Sequence, residues 1–265
     1  MRRRARWLRR AREEDERVKD RDLLKTVEEV FDPITMGHVE RLIAKGVIRE
    51  LRGVVSAGKE ARVYWARGRG GRELAVKIYL SFTAEFRKSI RKYILGDPRF
   101  ERIPSGNFRR LIYEWTRKEF RNLRRLREAG VRVPEPLAFQ GNVLVMEFLG
   151  EEGYRAPLLV EAAREAAGGE ILELWRDTVE QLRGIVCRAR LVHADLSEYN
   201  LIVWRGGVWV IDVAQAVSHG HPHAAEFLER DIRNIASFYR GLLGAEPPGL
   251  GELRGELLEC LKGSR

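Results

Sequence analysis

The sequence predicts an α+β protein in two lobes: an antiparallel, five-stranded front half with one main helix, and a reduced, mainly helical back half. Three observations predict it. Short apolar runs set off by turn residues crowd the stretch 47–148, one long amphipathic segment interrupts them, and helical periodicity dominates from 149 onward. Only "MEFLG" joins the halves. On this reading residues 1–46 form a basic helical extension, 47–148 a front lobe and 149–265 a back lobe.

Each element has a local reason. Residues 1 to about 30 mix Glu and Arg without a breaker, which predicts a charged helix facing solvent or a partner. In "FDPITMGHVERLIAKGVI" Asp32 can cap a helix with Pro33 in its first turn, Val39, Leu42 and Ile43 on one face and Gly46 at the end. His38 inside it is expected to be structural. "VIRELRGVVS", "ARVYWARG" and "ELAVKIYL" read as three antiparallel strands, the last two joined by a Gly-rich hairpin turn. Residues 81–107 are polar, contain "GDP" and "IPSG", and are expected to be partly mobile. A long helix follows, with Leu111, Trp115, Phe120, Leu123 and Leu126 in its apolar stripe and Gly130 at its end. "VPEPLAFQGNVLVMEFLG" supplies two more strands. Downstream, Ile171, Trp175, Leu182 and Val186 mark a helix, "NLIVW" and "VWVIDV" a hairpin, and two helices close the chain at about 222–240 and 249–262.

Composition narrows the classes. The 265 residues are 44% hydrophobic, enough for one large domain or two lobes. No run approaches the roughly 18 apolar residues of a membrane span. The basic start lacks the apolar core of a secretion signal, and its acidic residues argue against a transit peptide. A soluble cytoplasmic protein, monomeric, is the expectation. Cys187 and Cys260 sit in unrelated contexts without metal-type spacing and are expected to be reduced packing residues. The formal charge of +10, largely from arginine, favours polyanions such as nucleic acid or nucleotides, or reflects a generally basic proteome.

The stretch "RARLVHADLSEYNLIVW" carries the chemistry. Asp195 and Asn200 stand in H-x-D-x-x-x-x-N, where a carboxylate can accept a hydroxyl proton and an amide oxygen can meet a metal. Asp212 ends "VWVID", seventeen residues after Asp195, and offers the hard oxygen that Mg²⁺ prefers. Each alone suits a turn or a cap; the joint spacing with Lys77 in "LAVKIY" argues for phosphoryl transfer. An ammonium in mid-strand among apolar neighbours is expensive unless it meets an anion. The following helix offers Glu114, Glu119 and Glu128, of which Glu119 sits nearest the middle.

Together "SAGKEARVYWA", "LAVKIY", "RKEFRNL", "VLVMEFLG", "LVHADLSEYNLI" and "VWVIDVAQAV…HPHA" resemble the RIO family of atypical serine/threonine protein kinases, over about residues 47–240. "GKEA" and "IDVAQ" are similar to its first branch. The second carries K-E-S, I-D-F-P-Q and a preceding winged-helix domain, for which fewer than fifty residues leave too little room. The resemblance implies a protein-kinase-like fold using ATP and Mg²⁺. Ser56, Gly58, Lys59 and Glu60 would cover the phosphates and Lys77 would pair with Glu119. Met146 would line the adenine pocket, with Glu147 and Leu149 offering main-chain contacts and Glu198 joining the nucleotide-binding set. Asp195 would be the catalytic aspartate, Asn200 and Asp212 the metal ligands, and Asp212 also a possible phosphoryl acceptor.

The resemblance further implies autophosphorylation, at Ser105 or Ser89, and work on the pre-ribosomal small subunit or its RNA. The loop departs from the usual S-T-G-K-E at Ala57, which removes a hydroxyl, and its single glycine is a weak signal by itself. No A-P-E triplet follows Asp212, so helices that hold peptide substrates are expected to be absent. The alternating His219, His221 and His223 suit a loop and helix start better than a metal site, because Pro222 opposes an extended strand. His193 is expected to orient the catalytic loop. The alternatives are a small-molecule phosphotransferase of the aminoglycoside or choline type, and a non-catalytic RNA-binding assembly factor.

Overall fold

The computed structural model describes residues 32–80, 84–100 and 108–263; the predicted arm of residues 1–30 and Ser105 lie outside them. The chain divides into two compact units. The first comprises the described residues of Met1–Phe86, Pro104–Phe120 and Pro134–Ala156, the second those of Arg87–Ile103, Arg121–Val133 and Pro157–Arg265.

The first unit opens with helix α1 (Pro33–Ala44), whose N-cap Asp32 accepts hydrogen bonds from the Ile34 and Thr35 amides. Five strands follow: β1 (Ile48–Ala57), β2 (Ala61–Gly68), β3 (Glu73–Tyr79), β4 (Pro136–Gln140) and β5 (Val143–Glu147). They form one antiparallel sheet in the order β1-β2-β3-β5-β4. The hairpin between β2 and β3 turns through Gly70 and Gly71, both in the left-handed region that glycine adopts without strain.

Strand β3 is buried on both faces, so it reads as a continuous apolar run instead of an alternating one. Leu74, Val76 and Ile78 join Val39 and Leu42 of α1, with Tyr64, Ala66, Val143 and Val145 of the neighbouring strands, in one core cluster. Ala75, Lys77 and Tyr79 therefore point to the opposite face, because successive side chains alternate. Ile43 departs from its expected place on the α1 core face: it is 43% exposed. The buried set Thr35, His38, Val39 and Leu42 rotates the inner face of α1 away from it. His38 is structural, its Nδ1 lying 3.0 Å from Asn142 Oδ1 at the β4–β5 turn.

Two further helices are α2 (Ala84–Ile94) and α3 (Phe108–Glu128). The first is an element that the sequence pattern over 81–107 did not announce. Phe86, Ile90, Tyr93 and Ile94 are buried at helical spacing, a period masked by the many charges between them. Ser89 falls within this helix.

The second unit is mainly helical, with α4 (Leu159–Glu165), α5 (Gly168–Arg183), α6 (Ala224–Leu243) and α7 (Leu250–Lys262). Two pairings join its short strands, which are numbered on from β6 (Gly150–Glu151) and β7 (Tyr154–Arg155), themselves paired in the first unit. Of these, β9 (Leu201–Trp204) pairs with β10 (Gly207–Val210), and β8 (Leu191–Val192) with β11 (Val217–Ser218). Trp175 and Tyr239 pack edge to face between α5 and α6, and Thr178 shares a hydrogen bond with the Tyr239 hydroxyl. After α5 the chain makes a π turn over Gly184–Arg188.

That turn overturns one expectation: Cys187 and Cys260 form a disulfide. Packing of α7 against the π turn brings their Cα atoms to 5.1 Å, within disulfide reach, across a separation of 73 residues that no local pattern reveals. No helix among the described residues is long and apolar enough to cross a membrane.

Candidate active site

In the first unit the out-of-core face of β3 delivers Lys77, buried to 6% exposure. Its ammonium donates to Glu119 Oε1 at 2.8 Å, and Glu119 is itself only 1% exposed. Tyr79, two residues along the same face, donates its hydroxyl to Glu119 Oε2. Both carboxylate oxygens are thus met by donors, and this makes a buried charge tolerable. Among the three helix glutamates burial separates the candidates: Glu114 is half-buried and Glu128 exposed. Tyr79 was absent from the sequence reading, although its i+2 position on the strand placed it beside Lys77.

Ser56 lies in β1, and Gly58, Lys59 and Glu60 form the turn into β2. The turn closes on itself through Gly58 N to Ala61 O, 3.0 Å, and through the Arg62 guanidinium on the Gly58 carbonyl. Ser56, Gly58 and Lys59 are exposed. Met146 and Glu147 end β5 half-buried, and Leu149 is buried beyond it. The Glu147 amide donates to Glu135 O, and the Leu149 carbonyl accepts from the Ala156 amide.

In the second unit the loop between β8 and β9 carries His193, Asp195, Glu198 and Asn200. His193 is buried with Nε2 3.2 Å from the Ile211 carbonyl, tying the loop to the end of β10. Asn200 Nδ2 donates to the Asp195 carbonyl at 2.7 Å, which leaves Oδ1 as the end of the amide that could meet a metal. The Ile211 amide donates to the Asn200 carbonyl, so Asp212 begins beside the asparagine. Asp212 is exposed and holds φ at 55°, a left-handed conformation uncommon outside glycine.

Asp195 faces solvent, with a neighbourhood that raises its basicity. Loss of hydration to the surrounding protein and the negative charge of Asp212 push its pKa up; Arg230, Gln215 and Lys92 oppose them without cancelling them. Its carboxylate accepts one hydrogen bond from the described residues, from Gln215 Nε2 at 3.0 Å on Oδ2.

Three side chains of α6 grip the backbone on both sides of this aspartate. Asp231 accepts from the Ala194 amide at 2.7 Å and the Leu196 amide at 2.9 Å. Arg230 donates to the Ala194 carbonyl, and Asn234 to the Leu196 carbonyl at 3.2 Å. All four polar main-chain groups flanking Asp195 are therefore held by one helix, with Ala194 kept at φ 66°. Burial drives the Asp231 pKa up to about 7 despite its two amide donors. Sequence reasoning missed this grip, whose only trace is the R-D-x-x-N spacing on α6.

The hard oxygens of Asn200 and Asp212 suit Mg²⁺, which takes few protein ligands and keeps several waters. Among the described residues no group of three or more His, Cys, Asp or Glu gathers into a metal cluster. The three histidines have packing roles. His221 is buried and accepts from the His223 amide, while His223 meets Glu226. Burial and the charges of Arg190 and Arg125 push His219 down to about 4.

A five-stranded antiparallel sheet with a strand lysine paired to a helix glutamate, and an H-x-D-x-x-x-x-N loop leading to a strand-end aspartate, define a protein-kinase-like protein. The fold agrees with solved structures: the Rio2 kinase–ADP/Mg²⁺–phosphoaspartate complex from Chaetomium thermophilum aligns with a TM-score of 0.57 at 18% identity, covering 86% of this chain and 76% of that one. Residues 62–247 match the RIO domain, and the chain belongs to the RIO family, in its RIO1 branch. The RIO-type serine/threonine-protein kinase Rio1 of Haloferax volcanii is 46% identical over 224 residues, 84% of this chain and 75% of the relative. Human serine/threonine-protein kinase RIO1 is 41% identical over 224 residues, 84% of this chain but 39% of the relative. The chain thus spans about two-fifths of the human, nematode and slime-mould relatives it matches.

Proposed function

We propose that the chain is an ATP-dependent atypical serine/threonine protein kinase with ATPase turnover and autophosphorylation, working in small ribosomal subunit maturation in the cytoplasm. The observation that carries this reading is the Asp195 loop, in which contacts from α6 hold the backbone on both sides of an aspartate of raised basicity, with Asn200 and Asp212 in its surroundings. Membership of the RIO family supports it, as does the kinase name of the Haloferax relative.

In this reading Lys77, held by Glu119, neutralises nucleotide phosphates, and the turn of Gly58–Glu60 covers them. Asn200 and Asp212 would hold Mg²⁺, which would supply neutralising charge for the transferring phosphoryl group. Asp195 accepts the proton of the attacking hydroxyl while that oxygen bonds to the γ-phosphorus and the bond to ADP breaks. The phosphoaspartate named for the fungal Rio2 structure suggests a second acceptor. An Asp212 oxygen would attack the γ-phosphorus, releasing ADP, and water would later cleave the acyl phosphate to carboxylate and phosphate. The formal charge of +10 suits an RNA-rich particle.

Incubation with γ-labelled ATP and Mg²⁺ tests the chemistry. Wild type should release ADP and carry label on serine, within 81–107, or on aspartate, while Asp195→Ala and Asp212→Ala should fall at least a hundredfold. Equal rates in all three would leave a non-catalytic factor. Transfer to a small alcohol, with no label on protein and no association with pre-ribosomal particles, would favour the small-molecule phosphotransferase.

A further inference from the structure

The carboxylate of Asp195 has one protein partner among the described residues, and that partner belongs to no assigned role. Gln215 stands on the segment between Asp212 and β11, and its Nε2 donates to Asp195 Oδ2 at 3.0 Å. Oδ1 makes no hydrogen bond to the described residues. Main-chain contacts from α6 fix where the Asp195 backbone sits, but they leave its two side-chain torsions open. A base that is free to spin presents its lone pair to the incoming hydroxyl only part of the time.

We propose that Gln215 is the positioning residue of Asp195: its amide anchors Oδ2 and thereby aims Oδ1 at the hydroxyl whose proton is to be taken. The inference rests on the kinase reading above. The residue type is informative. An arginine or lysine here would anchor the carboxylate too, but its full charge would draw the proton affinity of Asp195 down. A glutamate would repel it. A primary amide orients the carboxylate through one neutral hydrogen bond, without adding a full charge beside it. The other end of the same amide, Oε1, is buried without a hydrogen-bond partner among the described residues, and that is costly for a group with no task.

The test uses the full chain with ATP and Mg²⁺, comparing wild type, Gln215→Met, which keeps length but not the donor, and Gln215→Leu as a second variant should the first melt early. Each is also made in an Asp195→Asn background. Expected for Gln215→Met is a fall in kcat of about tenfold or more, with KM for ATP and ADP affinity within about twofold of wild type. In the Asp195→Asn background the same change should move the residual rate by less than about twofold, because its effect passes through Asp195. A kcat within twofold of wild type, an equal fractional loss in both backgrounds, or a loss lodged in ATP affinity would overturn the proposal. Failure of the kinase reading looks different: wild type would turn over no ATP, or Asp195→Asn would match it.

Discussion

Glu119 shows how a single residue ties stability to chemistry. It meets Lys77 on one oxygen and Tyr79 on the other, with water excluded from all three. Replacing Lys77 by Ala removes a buried charge partner from Glu119, which should cost about 3–5 kcal/mol in urea unfolding. The pair Lys77→Met with Glu119→Leu should lose less stability than Lys77→Ala while transferring no phosphate, its remaining cost being removal of the Glu119 acceptor from the buried Tyr79 hydroxyl. Asp97 offers a different test. Burial favours its protonated form, but hydrogen bonds and charge from Arg99 outweigh that and hold its pKa near 2, below the ordinary 3.8. A depressed folded pKa means that the unfolded chain binds the proton more readily. The stabilisation, about 2 kcal/mol, is then complete above roughly pH 4 and lost as pH falls toward 2. Asp97→Asn should flatten that part of the acid unfolding curve, measured by circular dichroism.

At the scale of elements, two contacts decide how neighbouring pieces fit. Gly141, in the turn between β4 and β5, has φ 57°, and a Cβ there would lie 2.0 Å from His38 Cε1 of α1. Gly141→Ala should therefore destabilise by several kcal/mol, order of magnitude. Trimming His38 in the same chain should recover part of the loss, which a thermal-melt cycle would measure. Helix α6 acts on the Asp195 loop through Arg230, Asp231 and Asn234. Asp231→Ala strands two buried amides and should lower stability by about 1–3 kcal/mol. Turnover should fall by more than that loss of folded protein explains, because Ala194 is released from its left-handed conformation.

For the whole molecule, the disulfide is the widest local constraint among the described residues. Closing a loop across 73 residues should stabilise the second unit by about 4 kcal/mol in the chain-entropy account. Reduction, or Cys187→Ser with Cys260→Ser, should lower its melting temperature and leave the buried Lys77–Glu119 pair of the first unit intact. This bond also marks where sequence reading stops. The need of Lys77 for an anion, the cap at Asp32 and the strand periods are local and could be read from neighbours a few residues away. Contacts such as Gln215 on Asp195, twenty residues apart, or Asn234 on Leu196, thirty-eight apart, exist only after the fold has chosen which loops meet. The helix α2 was hidden for another reason, since its apolar residues are diluted by charge.

The two-sided burial of β3 carries a rule of parity. Deleting or adding one amino acid between Glu73 and Lys77 would turn the strand inside out, sending the ammonium into the hydrocarbon beneath α1 and Val76 toward the carboxylate. Natural length variation should accumulate in the glycine hairpin ahead of it, and within the strand only even steps would keep the lysine facing its acid.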